Sequence, residues 1–301
     1  MYSIFLALLF LSMDFLTAKA LAEINISSTN KSFRSFDKRP TLSHRDAVDV
    51  YNKFAVSGHI GGKDSSEDSG YGGPAVKALV EMVGFGKTSC VEGQESIQKV
   101  FDYGCGQGKL AEYVLSIMED ETNNEETECL TGPNSVHWHG VDQSPEMIAK
   151  FKERFYSYTS SSMEASCEYI ANGDAAELLS TIPASSYDRF ISTYCLDLLS
   201  EEDMYKVLTL AEHLIHPDGE IILAGITYGW KDSVKTFLMT LGWNLIYRVK
   251  PKVVGGCRPQ NLIPYMKEMD WEITKVVRTK PQGFPWMMSE IIFAKPKKAT
   301  E

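Results

Sequence analysis

The sequence predicts an α/β fold built around a doubly wound, mostly parallel sheet. Strand-like apolar segments alternate with amphipathic helical segments from residue 97 to residue 227, as in consecutive βα units. In one of these units, residues 100–110, glycines at alternate positions connect an apolar strand to a helix. Acidic residues end two of the strands and follow a third, at the edge where open α/β sheets bind their ligands.

Size and charge limit the classes of partner. The chain has 301 residues, of which 44% are hydrophobic, so it can bury a large core. Its formal charge is −10 and its pI is about 5.2. A nucleic-acid-binding protein normally has a basic face, and the sequence shows none, so we expect a small-molecule partner and no nucleic acid. The sequence leaves the oligomeric state unknown.

The N-terminal residues are typical of targeting segments. Residues 1–22 resemble a signal peptide, because the apolar run Ile4 to Met13 precedes small residues near Ala20. No Lys or Arg precedes the run, so an uncleaved anchor or a misassigned start stays open. Residues 23–45 form a basic, Ser-rich linker that is also similar to a transit segment. We expect the secretory pathway or endoplasmic reticulum, with a plastid or other organelle reached by bipartite targeting as the alternative.

The remaining chain divides into three parts. Residues 46–96 are predicted to be a helical cap with a glycine-rich lid loop, and residues 97–227 the core. Residues 228–301 are predicted to add a helix, a loop and two final strands that complete the sheet. Within the core, residues 119–128 are interpreted as an acidic surface insertion and residues 216–219 as a turn. The predicted strands are residues 97–102, 136–142, 167–170, 187–194, 220–226, 271–278 and 287–293.

The glycine loop carries the most specific signal. Gly104, Gly106 and Gly108 lack β-carbons, so the backbone can turn tightly and touch a ligand. Dinucleotide-binding enzymes place the third glycine one residue later, where this chain has Lys109. The observed spacing, with Asp102 two residues ahead, resembles motif I of class I S-adenosylmethionine (SAM) dependent methyltransferases.

The resemblance to class I methyltransferases extends from residue 100 to residue 227. Asp142 ends the second strand, where a carboxylate can accept both ribose hydroxyls, and Asp174 follows the third, where it can accept from the adenine amino group. The resemblance implies a seven-stranded Rossmann-like sheet with the last strand antiparallel, and SAM as cofactor. The cofactor-binding candidates are Tyr71, Asp102, Gly104, Gly106, Gly108, Asp142, Gln143, Met147, Gly173, Asp174, Ala175, Thr193 and Tyr194.

We therefore predict a SAM-dependent methyltransferase that acts on a small acceptor. Aromatic and methionine residues between positions 230 and 290 suit an apolar acceptor pocket or a membrane-facing surface, or belong to ordinary core. A lipophilic acceptor and a place close to a membrane follow from the first two interpretations. A non-catalytic SAM-binding protein and a nicotinamide oxidoreductase remain as alternatives.

No residue is marked by its motif as the general base. Methyl transfer mainly requires alignment of the acceptor and exclusion of water, and a base assists acceptors that lose a proton. The catalytic candidates, chosen by position alone, are His59, Tyr194, Asp197 and Tyr228. The loop at Cys257-Arg258 borders the acceptor pocket or is a plain turn.

A metal site and disulfides are not expected. His137 and His139 share one face of a strand, but the sequence suggests no third ligand. The six cysteines contain no C-x-x-C pair, and a fold of this size needs no disulfide, so reduced thiols are predicted.

Overall fold

The computed structural model describes residues 41–57, 72–85, 97–123, 135–156, 163–228, 233–281 and 286–297. The signal-like segment, residues 23–40 of the linker and the lid loop with His59 and Tyr71 lie outside the described residues. Within those ranges, no helix has the length and apolar character needed to cross a membrane.

One seven-stranded sheet forms the centre of the fold. Its strands are β1 (Ile97–Tyr103), β2 (Ser135–Asp142), β3 (Met163–Tyr169), β4 (Tyr187–Thr193), β5 (Ile215–Thr227), β6 (Trp271–Thr279) and β7 (Met288–Pro296). They are arranged in the order β3-β2-β1-β4-β5-β7-β6, and β7 alone runs opposite to the other six strands. The predicted fold class and the antiparallel last strand are confirmed. The order reverses between β1 and β4, which opens a crevice at their carboxyl ends.

Helices connect and cover the strands. They are α1 (His44–Ser57), α2 (Gly72–Val83), α3 (Lys109–Asn123), α4 (Pro145–Phe155), α5 (Ala175–Thr181), α6 (Glu201–Leu214), α7 (Val234–Val249) and α8 (Ile263–Glu268). Side-chain caps fix two of the helix starts. Ser144 accepts a hydrogen bond from the amide of Met147 at 3.2 Å, and Ser200 accepts one from the amide of Asp203 at 3.1 Å. Both starts agree with the sequence prediction.

The core lies in two layers, one on each face of the sheet. Neighbouring residues of a strand point to opposite faces, so Val100 packs on one side and Phe101 on the other. Helices α2, α3 and α4 cover the face of Val100, whereas α5, α6 and α8 cover the face of Phe101. The sheet is therefore shielded on both sides, and its ligand-binding edge is left at the strand ends.

The turn predicted at residues 216–219 is wrong as a strand boundary. Strand β5 already begins at Ile215, which pairs with Tyr187, and the next paired residues are Arg189 and Glu220. Residues 216–219 thus form a bulge opposite the single residue Asp188. The turn-forming residues bend the strand without ending it, because pairing with β4 continues on both sides.

Two helices differ from the sequence analysis. Helix α3 continues to Asn123, inside the acidic stretch that was interpreted as a surface insertion. Helix α8 was not predicted, because six residues are too few to show a helical period.

Candidate functional site

The glycine loop after β1 is held against the end of β2. The amides of Gly104 and Cys105 donate to the Val141 carbonyl at 2.8 and 3.0 Å. All three loop glycines have positive φ angles, of 78°, 54° and 78°. A β-carbon at Gly104 would lie 2.6 Å from the Cys195 side chain, and one at Gly108 would lie 2.7 Å from a phenylalanine ring. At Gly106 it would meet no atom of the described residues within 4 Å, so this part of the loop faces open space among them.

Asp142 lies directly beside that open space. Its Oδ2 accepts the Gly106 amide at 2.9 Å and its Oδ1 accepts the Ser144 amide at 2.8 Å. Burial raises the pKa of Asp142 to about 6, although these backbone donors and that of Gln143 lower it. Each carboxylate oxygen accepts one hydrogen bond of good geometry, from Gly106 or from Ser144, so a second lone pair on each oxygen is available for a donor of a ligand.

Asp102 is buried beneath the loop, with 1% of its surface exposed. Its Oδ2 accepts the indole N–H of Trp138 at 3.2 Å, while Oδ1 has no hydrogen-bond partner among the described residues. Burial raises the pKa of Asp102 to about 7, and the nearby charge of Asp142 adds to the rise. Buried polar atoms without partners are uncommon in folded proteins and often mark functional sites.

The turn after β3 closes the far side of the crevice. Gly173 has φ of 62°, and its carbonyl accepts the hydroxyl of Tyr103 at 2.7 Å. The Gln143 Oε1 atom lies 3.1 Å from where a β-carbon of Gly173 would be, and it has no partner among the described residues. The Gly173 backbone and the unpaired amide oxygen of Gln143 therefore lie close together next to Asp142.

The other candidates on this side have structural contacts of their own. Asp174 caps α5, accepting the Ala176 amide at 3.0 Å, and is exposed. Met147 and Ala175 are buried at the starts of α4 and α5. The predicted adenine candidates therefore lie on one side of the crevice, and among them Gln143 has a buried polar atom without a partner in the described residues.

Tyr194 follows β4 in an unusual backbone conformation. Its φ is 54°, in the left-handed region that few non-glycine residues adopt. Residues in such strained conformations are concentrated at functional sites. Its hydroxyl pairs with Ser289 Oγ at 2.7 Å, and its ring lies 3.7 Å from where a β-carbon of Gly72 would be. Burial raises the pKa of the phenol, which therefore stays protonated. Thr193 and Tyr228, at the ends of β4 and β5, are half-buried at the same edge.

Asp197 is a buried carboxylate in the turn that follows β4, at the same edge. Only 2% of it is exposed, and neither of its oxygens has a hydrogen-bond partner of good geometry among the described residues. Burial raises the pKa of Asp197 to about 7, and the Ile226 amide and the charge of Arg258 oppose the rise. Gln260 lies in the same cluster: its amide N–H donates to the Leu196 carbonyl at 3.1 Å, and its Oε1 has no partner there.

The second glycine loop is more than a plain turn. Arg258 is 1% exposed and donates to the Leu199 carbonyl at 2.8 Å and to the Tyr247 hydroxyl at 3.3 Å. Its backbone amide donates to the carbonyl of Asp197 at 3.1 Å. The loop is thereby fastened to the segment that follows β4 and carries Asp197.

An apolar cluster fills the space around this loop. Its buried members are Ile226, Met239, Cys257 and Met287, and Tyr194, Leu198, Trp243 and Trp286 pack against them. Gly225, near the end of β5, resembles Gly106, because a β-carbon there would meet none of the described atoms within 4 Å. The part of the crevice next to β4 and β5 thus combines apolar walls, one buried acid and open space.

Helix α1 connects the two sides of the crevice, which the sequence did not reveal. Asn52 accepts a hydrogen bond from Ser144 at 2.6 Å, next to Asp142. One residue earlier, the Tyr51 hydroxyl lies 3.5 Å from the Cys257 sulfur. A helical pattern predicts that such a helix packs on the core, but it does not indicate which loops the helix contacts.

The strand histidines have contacts of their own. His137 pairs with Glu164, and His139 Nδ1 lies 2.6 Å from the Tyr187 hydroxyl. Across the described ranges, no group of three or more His, Cys, Asp or Glu side chains could hold a metal ion. The four cysteines within those ranges are free thiols.

The central part of the chain matches a known protein family. Residues 100–219 match a family described as "Methyltransferase domain". These residues form a class I SAM-dependent methyltransferase domain. The methyltransferase uses SAM as its cofactor. No curated protein matched the sequence.

Solved structures share the fold of this methyltransferase at low identity. A SAM-dependent methyltransferase from Leishmania major is 14% identical with a TM-score of 0.53, over 84% of this chain and 82% of that one. The magnesium protoporphyrin IX methyltransferase of Synechocystis, with bound S-adenosylhomocysteine (SAH), is 16% identical with a TM-score of 0.54, over 84% and 100%. A geranyl diphosphate methyltransferase, in complex with GPP and sinefungin, is 12% identical with a TM-score of 0.51, over 84% and 98%.

The crevice fits the cofactor of this methyltransferase. Open space at Gly106 leaves room for a ligand against bare backbone. The unpaired oxygens of Asp102 and Gln143 and the spare lone pairs of Asp142 can receive the donors of an adenosyl group and an amino acid.

Proposed function

We propose that this methyltransferase methylates a small lipophilic acceptor. The observation that carries the proposal is the apolar cluster of Met239, Trp243, Cys257 and Met287 at the carboxyl end of β5, next to the cofactor crevice. Binding sites for small molecules combine apolar walls with a few polar groups, and here Asp197 supplies the polar group. The names of two similar structures, methyltransferases of magnesium protoporphyrin IX and of geranyl diphosphate, are consistent with a small acceptor.

We propose specific roles for the cofactor side. Asp142 accepts the two ribose hydroxyls, and the backbone at Gly106 lies against the amino-acid part. Gln143 and Asp174 face the adenine, and Asp102 adds negative charge beneath the ammonium group. Tyr71, which lies outside the described residues, stays a prediction as a cation–π neighbour of the sulfonium.

Proton transfer is assigned to Asp197. When bound, SAM supplies an activated methyl group to a lone pair of the acceptor. A carboxylate with a pKa of about 7 is ionised in a large fraction of molecules at neutral pH and can take a proton from an acceptor hydroxyl or amine. Arg258 holds the Asp197 backbone through a 3.1 Å hydrogen bond, so we propose it as a positioning residue. Tyr194 is less suited as the base, because its phenol stays protonated and pairs with Ser289.

Affinity for SAH should depend on pH through Asp142. Its pKa is about 6 in the structure, and ribose hydroxyls bind best to the ionised carboxylate. The dissociation constant should therefore rise several-fold as the pH falls from 7.5 to 5, measured by isothermal titration calorimetry. In Asp142→Asn, affinity should be lower at pH 7.5, and the remaining pH dependence should come from Asp102, whose pKa should fall below its parent value of about 7 without the nearby charge of Asp142. An unchanged pH profile in this variant would exclude Asp142 as the ribose acid.

The acceptor class can be tested with methyl-labelled SAM. The protein is incubated with a lipid extract of cells that make it and, separately, with the water-soluble metabolites of those cells. Labelled products are identified by mass spectrometry. We expect label in the lipid extract, and none with Gly106→Leu, the matched control that should not bind the cofactor. Label only in the water-soluble fraction would contradict a lipophilic acceptor. SAH binding without label in either fraction would favour the non-catalytic alternative.

A further inference from the structure

Helix α7 exposes an unusual apolar surface. Val234, Leu238, Leu241, Leu245 and Val249 are between 37% and 76% exposed. At 100° per residue these five side chains fall within one narrow arc of the helix, which we call the α7 stripe. Among the described residues, eleven large hydrophobic side chains have high exposure, and six of them belong to this stripe or to Val253, just beyond it. Contiguous exposed apolar surface of this kind normally marks an interaction site.

The opposite side of α7 is also largely apolar. Met239, Trp243 and Tyr247 point inward, and the first two belong to the proposed acceptor pocket. A helix with apolar residues all round is normally covered on both sides. The α7 stripe should therefore have a partner of its own, lying across the helix from the acceptor pocket.

Charge identifies the partner. Residues 233–253 contain four basic residues and no Asp or Glu, although the whole chain has a net charge of −10. Lys235 and Arg248 lie on the two flanks of the α7 stripe, and Lys250 follows it. Some of these charges have contacts already, since Lys235 lies 3.4 Å from the centre of the Trp286 ring and Lys252 pairs with Asp46 at 2.6 Å. The segment nevertheless keeps a positive balance where the rest of the protein is acidic.

We propose that the α7 stripe lies in the surface of a bilayer that contains anionic lipids. Apolar residues flanked by Lys and Arg, in a helix too polar at its ends to span, are typical of helices that lie in the membrane interface. A second copy of the chain is a poorer partner, because a twofold contact through the α7 stripe would bring two sets of like charges together. Given the proposed function, α7 then separates the bilayer from the acceptor pocket by one helix, and the acceptor is a membrane lipid or a molecule dissolved in the membrane.

The test is vesicle binding by the full chain and two charge-matched double variants. Leu241→Glu with Leu245→Glu alters the α7 stripe, and Ile97→Glu with Val276→Glu places the same charge at other exposed apolar positions. We expect the parent and the second variant to co-sediment with vesicles of phosphatidylcholine and phosphatidylglycerol, and less with phosphatidylcholine alone. The bound fraction of the α7 variant should fall at least fivefold, while SAH raises the melting temperature of all three proteins equally.

Equal vesicle binding by the two variants would overturn the proposal. So would a parent dimer in sedimentation velocity that the α7 variant converts to a monomer, because the stripe would then contact a second copy. An N-terminal anchor could hold the protein on vesicles by itself, so contact is also measured at the helix. Leu241→Cys labelled with the fluorophore NBD should shift to the blue on adding vesicles, after subtraction of the identically treated parent, and Val276→Cys should not. If the emission of NBD at Leu241→Cys does not shift, the proposal is overturned. If the parent protein does not bind SAH, the proposed function is overturned, but the bilayer contact is not.

Discussion

Gly106→Ala should lose at least tenfold in SAH affinity while the protein stays folded. An added methyl group at this position meets no atom within 4 Å in the described part of the chain, so it projects into the space assigned to the cofactor. The φ of 54° makes alanine strained by about 1–2 kcal/mol, which most domains tolerate. Gly106→Leu fills more of the space and should abolish measurable binding. Calorimetry with SAH gives the affinity, and chemical denaturation gives the free energy of unfolding.

Gly104 and Gly108 provide matched controls, because alanine at these positions should mainly reduce the stability of the fold. Gly104→Ala and Gly108→Ala carry the same kind of backbone strain, but their methyl groups would overlap with Cys195 and with the Phe151 ring. Overpacking should cost a further ~1–3 kcal/mol, so both variants should lose clearly more stability than Gly106→Ala. If Gly106→Ala binds SAH like the parent protein, the open space at the loop is not the cofactor site.

The three loop glycines show which features of the site can be predicted from the sequence. Their spacing after an acid-ended strand predicted the loop and the fold around it, because strand ends of parallel sheets meet at one edge. It could not distinguish Gly106 from Gly104 and Gly108. That difference depends on Cys195 and Phe151, which approach the loop only in the folded chain.

The acceptor side was less predictable than the cofactor side. Asp197 and Arg258 were named from their positions in loops, but their association spans about 60 residues of sequence and has no local signature. Asn52 of α1 was missed for the same reason. Exposure of the α7 stripe also depends on tertiary packing, since the apolar residues of that helix predict burial as readily as a surface.

Asp197→Asn should slow methyl transfer by about 100-fold or more and leave SAH affinity within twofold. A general base contributes about 100-fold to 10,000-fold, and Asn cannot take up the proton. In the parent protein, the rate should rise with pH through about 7, as the carboxylate ionises, and this rise should disappear in the variant. Initial rates of label transfer at saturating SAM, from pH 5.5 to 8.5, measure both effects. Asp218→Asn, an exposed acid in the β5 bulge, is the control and should match the parent.

The same substitution should stabilise the fold at high pH. Burial raises the pKa of Asp197 from 3.8 to about 7, so the folded protein binds a proton more readily than the unfolded chain does. That contribution is fully present below pH 4 and is lost as the pH rises through 7, where the buried charge opposes folding. Asp197→Asn should therefore be more stable than the parent by on the order of 1 kcal/mol at pH 8, with a smaller difference at pH 5. A variant that is slower and less stable at pH 8 would indicate a structural role for Asp197, since a carboxylate kept for proton transfer should cost stability there.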